Sequence, residues 1–211
     1  MDNINKYIVV TADIINSRQY NNIVDKVEKK ISNIDYADND LNQQQFVKYN
    51  ISRGDEIQGV FKNTFFRPEM IRRLRYQLLP YKIRVGVGVG DISEGIEENN
   101  SWDMNGSAFF HAREALDKTK SEKAYNTFYK SYNNLIDEII NTFYLLIDSV
   151  MDKWTDAQWE AVNIYEKEET YKNTADILGI AFQNVEKRCD AANWREVRLA
   201  EKKLIDIINN L

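Results

Sequence analysis

The sequence predicts an α+β fold: a ferredoxin-like mixed sheet with helices, followed by an all-α helix-turn-helix tail. Three observations predict it. From Tyr7 to Val150, β-prone runs and helix-spaced runs follow one another as β, α, β-hairpin, α, β, α, β, α. Within that order, Gly54-Asp55 marks a reversal between two strand-like runs. Beyond Trp154 the strand patterns stop, and only helix starts, helical stripes and one glycine turn remain.

Taken in order, Tyr7 to Ala12 is a continuous β-prone run, as a strand covered on both faces requires. It ends in Asp13-Ile14-Ile15-Asn16-Ser17-Arg18. Tyr20, Ile23, Val24, Val27, Ile31 and Ile34 then fall at helical spacing, with Lys26, Glu28, Lys29 and Lys30 opposite. A polar loop over 35–44 leads to the run Gln45 to Ile51, and Ile57, Gly59 and Phe61 alternate after the turn. Arg53-Gly54-Asp55 is expected near the hairpin tip. Pro68 suits a helix first turn, Ile71, Leu74 and Leu78 give that helix its apolar stripe, and Arg67, Arg72, Arg73 and Arg75 read as its solvated side or as a grip for phosphate or an acidic partner.

Tyr81 to Gly90 is the clearest strand, with Tyr81, Ile83, Val85, Val87 and Val89 on one face and Lys82, Arg84, Gly86, Gly88 and Gly90 on the other. Three glycines in register predict that a helix, a backbone or a ligand comes close to that face. A helix from Gly106 to Lys118 carries His111 and Arg113, and Ala124 to Tyr129 is expected as the last strand. A long helix follows, with Ile136, Ile139, Ile140, Phe143, Leu146, Ile147 and Val150 on the predicted buried face. In the tail, Thr155 to Gln158 is a capping box. A helix to Leu178, the turn at Gly179, and a helix from Phe182 burying Val185, Cys189 and Ala192 form the helix-turn-helix pattern. Trp194 and Leu199 to Ile208 belong to one more helix. The division expected is 1–152 for the α+β domain and 153–211 for the helical one.

Composition excludes several classes. With 28 Lys and Arg against 33 Asp and Glu, the 211-residue chain has a formal net charge of −5 and no global field to recruit nucleic acid or anionic membrane. No run approaches the ~18 apolar residues of a membrane span, and no signal-peptide pattern opens the sequence. Cys189, the single cysteine, cannot form an intramolecular disulfide, and a reducing cytoplasmic setting is expected.

The residues that carry chemistry are Asp13, at the end of a buried strand, and Asp55, on the hairpin. Two carboxylates converging on one sheet edge are what a hard divalent cation and a phosphate chain require. Glu56 is a possible third ligand, although strand alternation turns it away from the side of Ile57. Arg113 lies beside Glu114 and Asp117, so an ordinary surface ion pair also accounts for it. In the tail, Gln183, Asn184, Lys187 and Arg188 are the side chains that would meet bases and phosphates if the helix from Phe182 entered a major groove. From Met151 to Leu211, nine Lys and Arg face twelve Asp and Glu, a net charge of −3 that opposes strong DNA binding by the tail alone.

On Asp13-Ile14-Ile15-Asn16-Ser17-Arg18, Gly54-Asp55-Glu56-Ile57-Gln58-Gly59, Arg84 to Gly90 and Gly106-Ser107-Ala108-Phe109-Phe110-His111-Ala112-Arg113, the chain resembles the SatD family. Ala175 to Ile180 and Ala191-Ala192-Asn193-Trp194 extend the likeness into the tail. More distantly, residues 6–130 are similar to class III nucleotidyl cyclases and GGDEF domains. That resemblance implies Mg²⁺ or Mn²⁺ held by Asp13, Asp55 and the carbonyl of Ile14, a nucleoside triphosphate ligand, a homodimer, and a transition-state role for Arg113. Phe109 stands where cyclases carry the ribose-positioning asparagine. Three readings stay open: a regulator whose nucleotide or metal site tunes the tail's contact with DNA or a partner, an active cyclase or transferase, and a scaffold without ligand.

Overall fold

The computed structural model describes residues 6–32, 34, 45–51, 54–62 and 67–209. The 35–44 loop and Arg53 of the hairpin tip lie outside the described residues. Five strands form one sheet: β1 (Tyr7–Ile14), β2 (Gln45–Ile51), β3 (Glu56–Lys62), β4 (Ile83–Gly90) and β5 (Thr127–Lys130), in the order β2-β3-β1-β4-β5. The first four are antiparallel neighbours in the ferredoxin-like order. β5 is parallel to β4, because a helical crossover separates them. The last strand thus starts at Thr127, not Ala124, and β1 runs on through Asp13 to Ile14.

Helices α1 (Ile23–Ser32) and α2 (Glu69–Leu78) cover one face, burying Val27, Ile31, Ile71 and Leu74 against Ile8, Val10 and Ala12. The crossover helix α3 (Ser107–Ser121) covers the other. It lies so close that a Cβ on Gly86 or Gly88 would meet the backbone of Ala112, and one on Gly90 would meet Ser107. The glycine stripe is therefore a seat for a helix backbone, one of the three approaches the strand pattern allowed.

Helix α4 (Asn134–Met151) closes the open edge of β5. Asn141 accepts from the Tyr129 backbone N–H at 2.6 Å and donates to its carbonyl at 2.9 Å, standing in for a neighbouring strand. Its buried face is Ile140, Tyr144, Ile147 and Met151, whereas Ile139 and Leu146, expected inside, are exposed. The apolar stripe was read too wide. In a helix this apolar, spacing alone cannot say which of two adjacent faces meets the core.

Four more helices follow: α5 (Asp156–Glu168), α6 (Tyr171–Leu178), α7 (Phe182–Ala191) and α8 (Trp194–Asn209). The capping box is formed, with Thr155 accepting from the Gln158 backbone N–H and Gln158 from that of Thr155. Gly179, at φ +65°, ends α6 in the left-handed conformation that favours glycine.

These helices share one continuous core with the α1/α2 face of the sheet. Arg72 and Arg73 of α2 contribute to that junction, and Arg75 turns to the sheet and α4, so these three do not form a solvated face. Arg72, 2% exposed, donates to Glu166 on α5 at 2.6 and 3.2 Å, and to Glu201 on α8 at 2.9 and 3.2 Å. Its guanidinium lies 4.5 Å from the ring centroid of Trp194. Arg73 adds a 3.1 Å bond to Glu166. Helical spacing put the arginines opposite the sheet, and it carried no sign that other helices would cover that side.

Candidate functional site

The central position of β1 creates the site. Asp13, its penultimate residue, lies opposite Glu56 of β3 on one side and Arg84 of β4 on the other. Strand alternation sends these three side chains to the α3 face, the face of Tyr7, Val9 and Thr11. Glu56, the residue ranked last from sequence, is thus the direct cross-strand neighbour of Asp13. Ile57, from which its orientation was judged, pairs with Ala12 on the opposite face. Deeper along the same row, Gln58 donates to the Thr11 hydroxyl at 3.0 Å.

Helix α3 supplies two cations from above. Arg113 and Lys120 are seven residues apart, two helical turns, and so lie on one side of the helix. Arg113 donates to Glu56 Oε1 at 2.6 Å. Lys120 Nζ lies 3.7 Å from Glu56 Oε1 and 3.9 Å from Asp13 Oδ2. Arg84 reaches the same Asp13 oxygen at 3.6 Å. Burial pushes the Asp13 carboxyl above its usual range, and Asp55 and Glu56 push the same way against Lys120 and Arg84. Two carboxylates are therefore bridged by one lysine, with an arginine on each flank and a third carboxylate, Asp55, close enough to act on Asp13.

Asp55 sits in the turn before β3, half-buried, and Ile14 is buried in the core, so its backbone carbonyl is the group it has to offer. Arg113 is at the cluster, and its partner is Glu56 and not the neighbouring helix carboxylates. Arg84 and Lys120 were missed from sequence. Their signals were present: Arg84 alternates onto the glycine face of its strand, and Lys120 repeats Arg113 after two turns. His111 is structural, its Nδ1 held 2.6 Å from the Val89 carbonyl. The oxygen donors suit a hard cation by type. Among the described residues no three His, Cys, Asp or Glu are gathered into a metal-binding group, and the contacts seen are ion pairs.

On α7, Gln183, Asn184 and Lys187 are exposed, while Arg188 is half-buried and lies 3.7 Å from Glu160 of α5. The structure does not bring these residues near Asp13. Burial pushes the Cys189 thiol up to about 11, as befits a core residue. Among the described residues no helix is long and apolar enough to cross a membrane.

The SatD family model matches residues 7–204. No curated protein matches. Among solved structures, a regulator of polyketide synthase expression from Bifidobacterium adolescentis is 10% identical, with 100% of this chain and 82% of that chain covered. The TM-score between the two is 0.28.

Proposed function

This chain belongs to the SatD family, and on that premise we propose that it is a regulatory protein. In this reading its α+β domain binds a metal-complexed nucleotide at the Asp13 edge, and its helix-turn-helix contacts DNA or a protein partner. The observation that carries the reading is the composition of the cluster: Asp13 and Glu56 interlocked with Arg84, Arg113 and Lys120 at one sheet end, with Asp55 acting on Asp13 from the turn before β3. A lone anion or a lone cation would leave half of these charges unpaired. A divalent cation bound to a phosphate chain brings both signs. The carboxylates would then hold Mg²⁺ or Mn²⁺ while the three cations turn to phosphate oxygens. The metal would neutralise phosphate charge; the chain's own side chains exchange one set of ion pairs for another.

Calorimetric titration of nucleoside triphosphates with Mg²⁺ or Mn²⁺ tests this. Binding is expected, weakened at least about tenfold by Lys120→Met and abolished in Asp13→Asn plus Asp55→Asn. Binding indifferent to all three substitutions removes the nucleotide half. For the tail, Lys187→Ala and Gln183→Ala are expected to weaken retardation of the family's own upstream DNA at low salt. No shift with any such DNA transfers the role of α7 to a protein partner.

The cyclase reading asks Arg113 to reach the metal edge of a second copy in a homodimer. It competes with the 2.6 Å bond that Arg113 makes to Glu56 of its own chain. Return of all four labelled triphosphates unconverted with Mn²⁺ eliminates it.

A further inference from the structure

We propose that the cavity between α2, α4 and the start of α5 is a binding site for a small organic cation with a flat apolar body, an aryl amidine or aryl-alkyl ammonium. The cavity measures about 380 Å³, within the size range of small-molecule sites, and it lies at a junction between structural layers, where such sites concentrate. Its walls include Trp154, Trp159, Tyr81 and Met151, all buried. Aromatic faces of this kind attract cations as well as apolar bodies.

The charge inside is what selects the ligand. Asp148, 3% exposed, faces Arg75 across 3.4 and 3.5 Å, longer than a well-formed charge-assisted bond. Among the described residues Asp148 Oδ1 accepts no hydrogen bond, and the 3.4 Å approach of Arg75 is its ion pair. Arg75 also donates to the Ile83 carbonyl at 2.9 Å and the Thr127 hydroxyl at 2.8 Å, and its buried Nε has no hydrogen-bond partner among the described residues. Burial pushes the Asp148 carboxyl above its usual range, against Arg75 and the hydrogen bonds from Thr127 that favour its charged form. Asp152 and Asp156 also line the cavity, against Lys82. An added cation meets three carboxylates against the two cations Arg75 and Lys82, so the walls carry an excess of negative charge that favours a cation over an anion.

The site is distinct from the Asp13 cluster. It lies on the α1/α2 face of the sheet, although Ile15, on its wall, is two residues past Asp13. Its occupant would touch α2 and α4 of the α+β part together with Trp154 and Trp159, where the tail begins.

Titration of the full chain with benzamidine and tryptamine, against neutral benzamide and anionic benzoate, tests the proposal. Both cations are expected to bind, with benzamide and benzoate weaker by about tenfold or more. Leu79→Trp, which fills the cavity from a half-buried wall position, is expected to abolish cation binding with the circular dichroism unchanged. Asp148→Asn is expected to lower it about tenfold. Should Asp148→Asn fail to fold, Asp152→Asn and Leu79→Trp decide. Benzoate binding as tightly as benzamidine, cation binding intact in Leu79→Trp, or none tighter than about 10 mM overturns the proposal. Magnesium–triphosphate affinity is expected to survive Leu79→Trp, which keeps failure here separate from failure at the Asp13 edge.

Discussion

Replacing Arg72 with methionine keeps the volume of the side chain's stem and removes the charge that two buried carboxylates share. Glu201 is 4% exposed and the Glu166 side chain 13%, so neither can recover full hydration where it stands. Breaking a buried ion pair by deleting one partner costs about 3–5 kcal/mol, because the other charge is left uncompensated; here that charge is Glu201, while Glu166 keeps Arg73. The stacking on Trp194 is lost as well. For a chain of this length each kcal/mol moves the melting temperature by about 2–4 °C, so Arg72→Met should lower it by roughly 6–20 °C. Urea unfolding followed by tryptophan fluorescence is the assay, since Trp154, Trp159 and Trp194 of the chain's four tryptophans lie at or beyond the start of the tail. The second arm is Arg72→Met with Glu166→Gln and Glu201→Met. Removing the whole charged group together should return stability to within about 1–2 kcal/mol of the original. A loss below ~1 kcal/mol in the single variant, the worth of a surface pair, would refute the reasoning. So would a triple variant as unstable as the single one.

The same network predicts a pH dependence. Glu166 is opposed by burial but held below its ordinary range by Arg72 and Arg73. Its contribution is therefore present above the unfolded carboxyl's value and lost as pH falls through the depressed one. Glu166→Gln should flatten the decline in urea midpoint below about pH 4.5, and an unchanged acid limb contradicts that assignment. Gly88→Ala should cost about 1–3 kcal/mol or more, since its Cβ would enter the α3 backbone at Ala108 and Ala112. Gly54→Ala, whose Cβ would meet nothing among the described residues, should change the urea midpoint little. Cys189, with its thiol raised to about 11 and 2% exposed, should react with iodoacetamide at pH 8 at least about a hundredfold more slowly in the native than in the urea-unfolded chain. Comparable rates would mean that α7 is not packed as described.

Local pattern was enough for the order of strands and helices, because period-2 and period-3.6 spacing reflect which side of each segment is covered. It was enough for the capping box at Thr155 and the turn at Gly179, where the physics is confined to a few adjacent residues. It also placed Asp13 and Asp55 at one end of the sheet, since a strand end and a hairpin are positions along the chain. Register was not legible. That Asp13 lies beside Glu56, and that Ile57 belongs to the other face, follows from cross-strand pairing between residues more than forty positions apart. The partners of the arginines were equally hidden. A guanidinium on an outward helix face looks the same in sequence whether water or Glu201 covers it, and only the packing of α5 and α8 onto α2 decides between a solvated charge and a buried one. The cavity beside Asp148 has the same origin: it exists because three helices and a sheet end meet imperfectly, and no single segment encodes a gap between several.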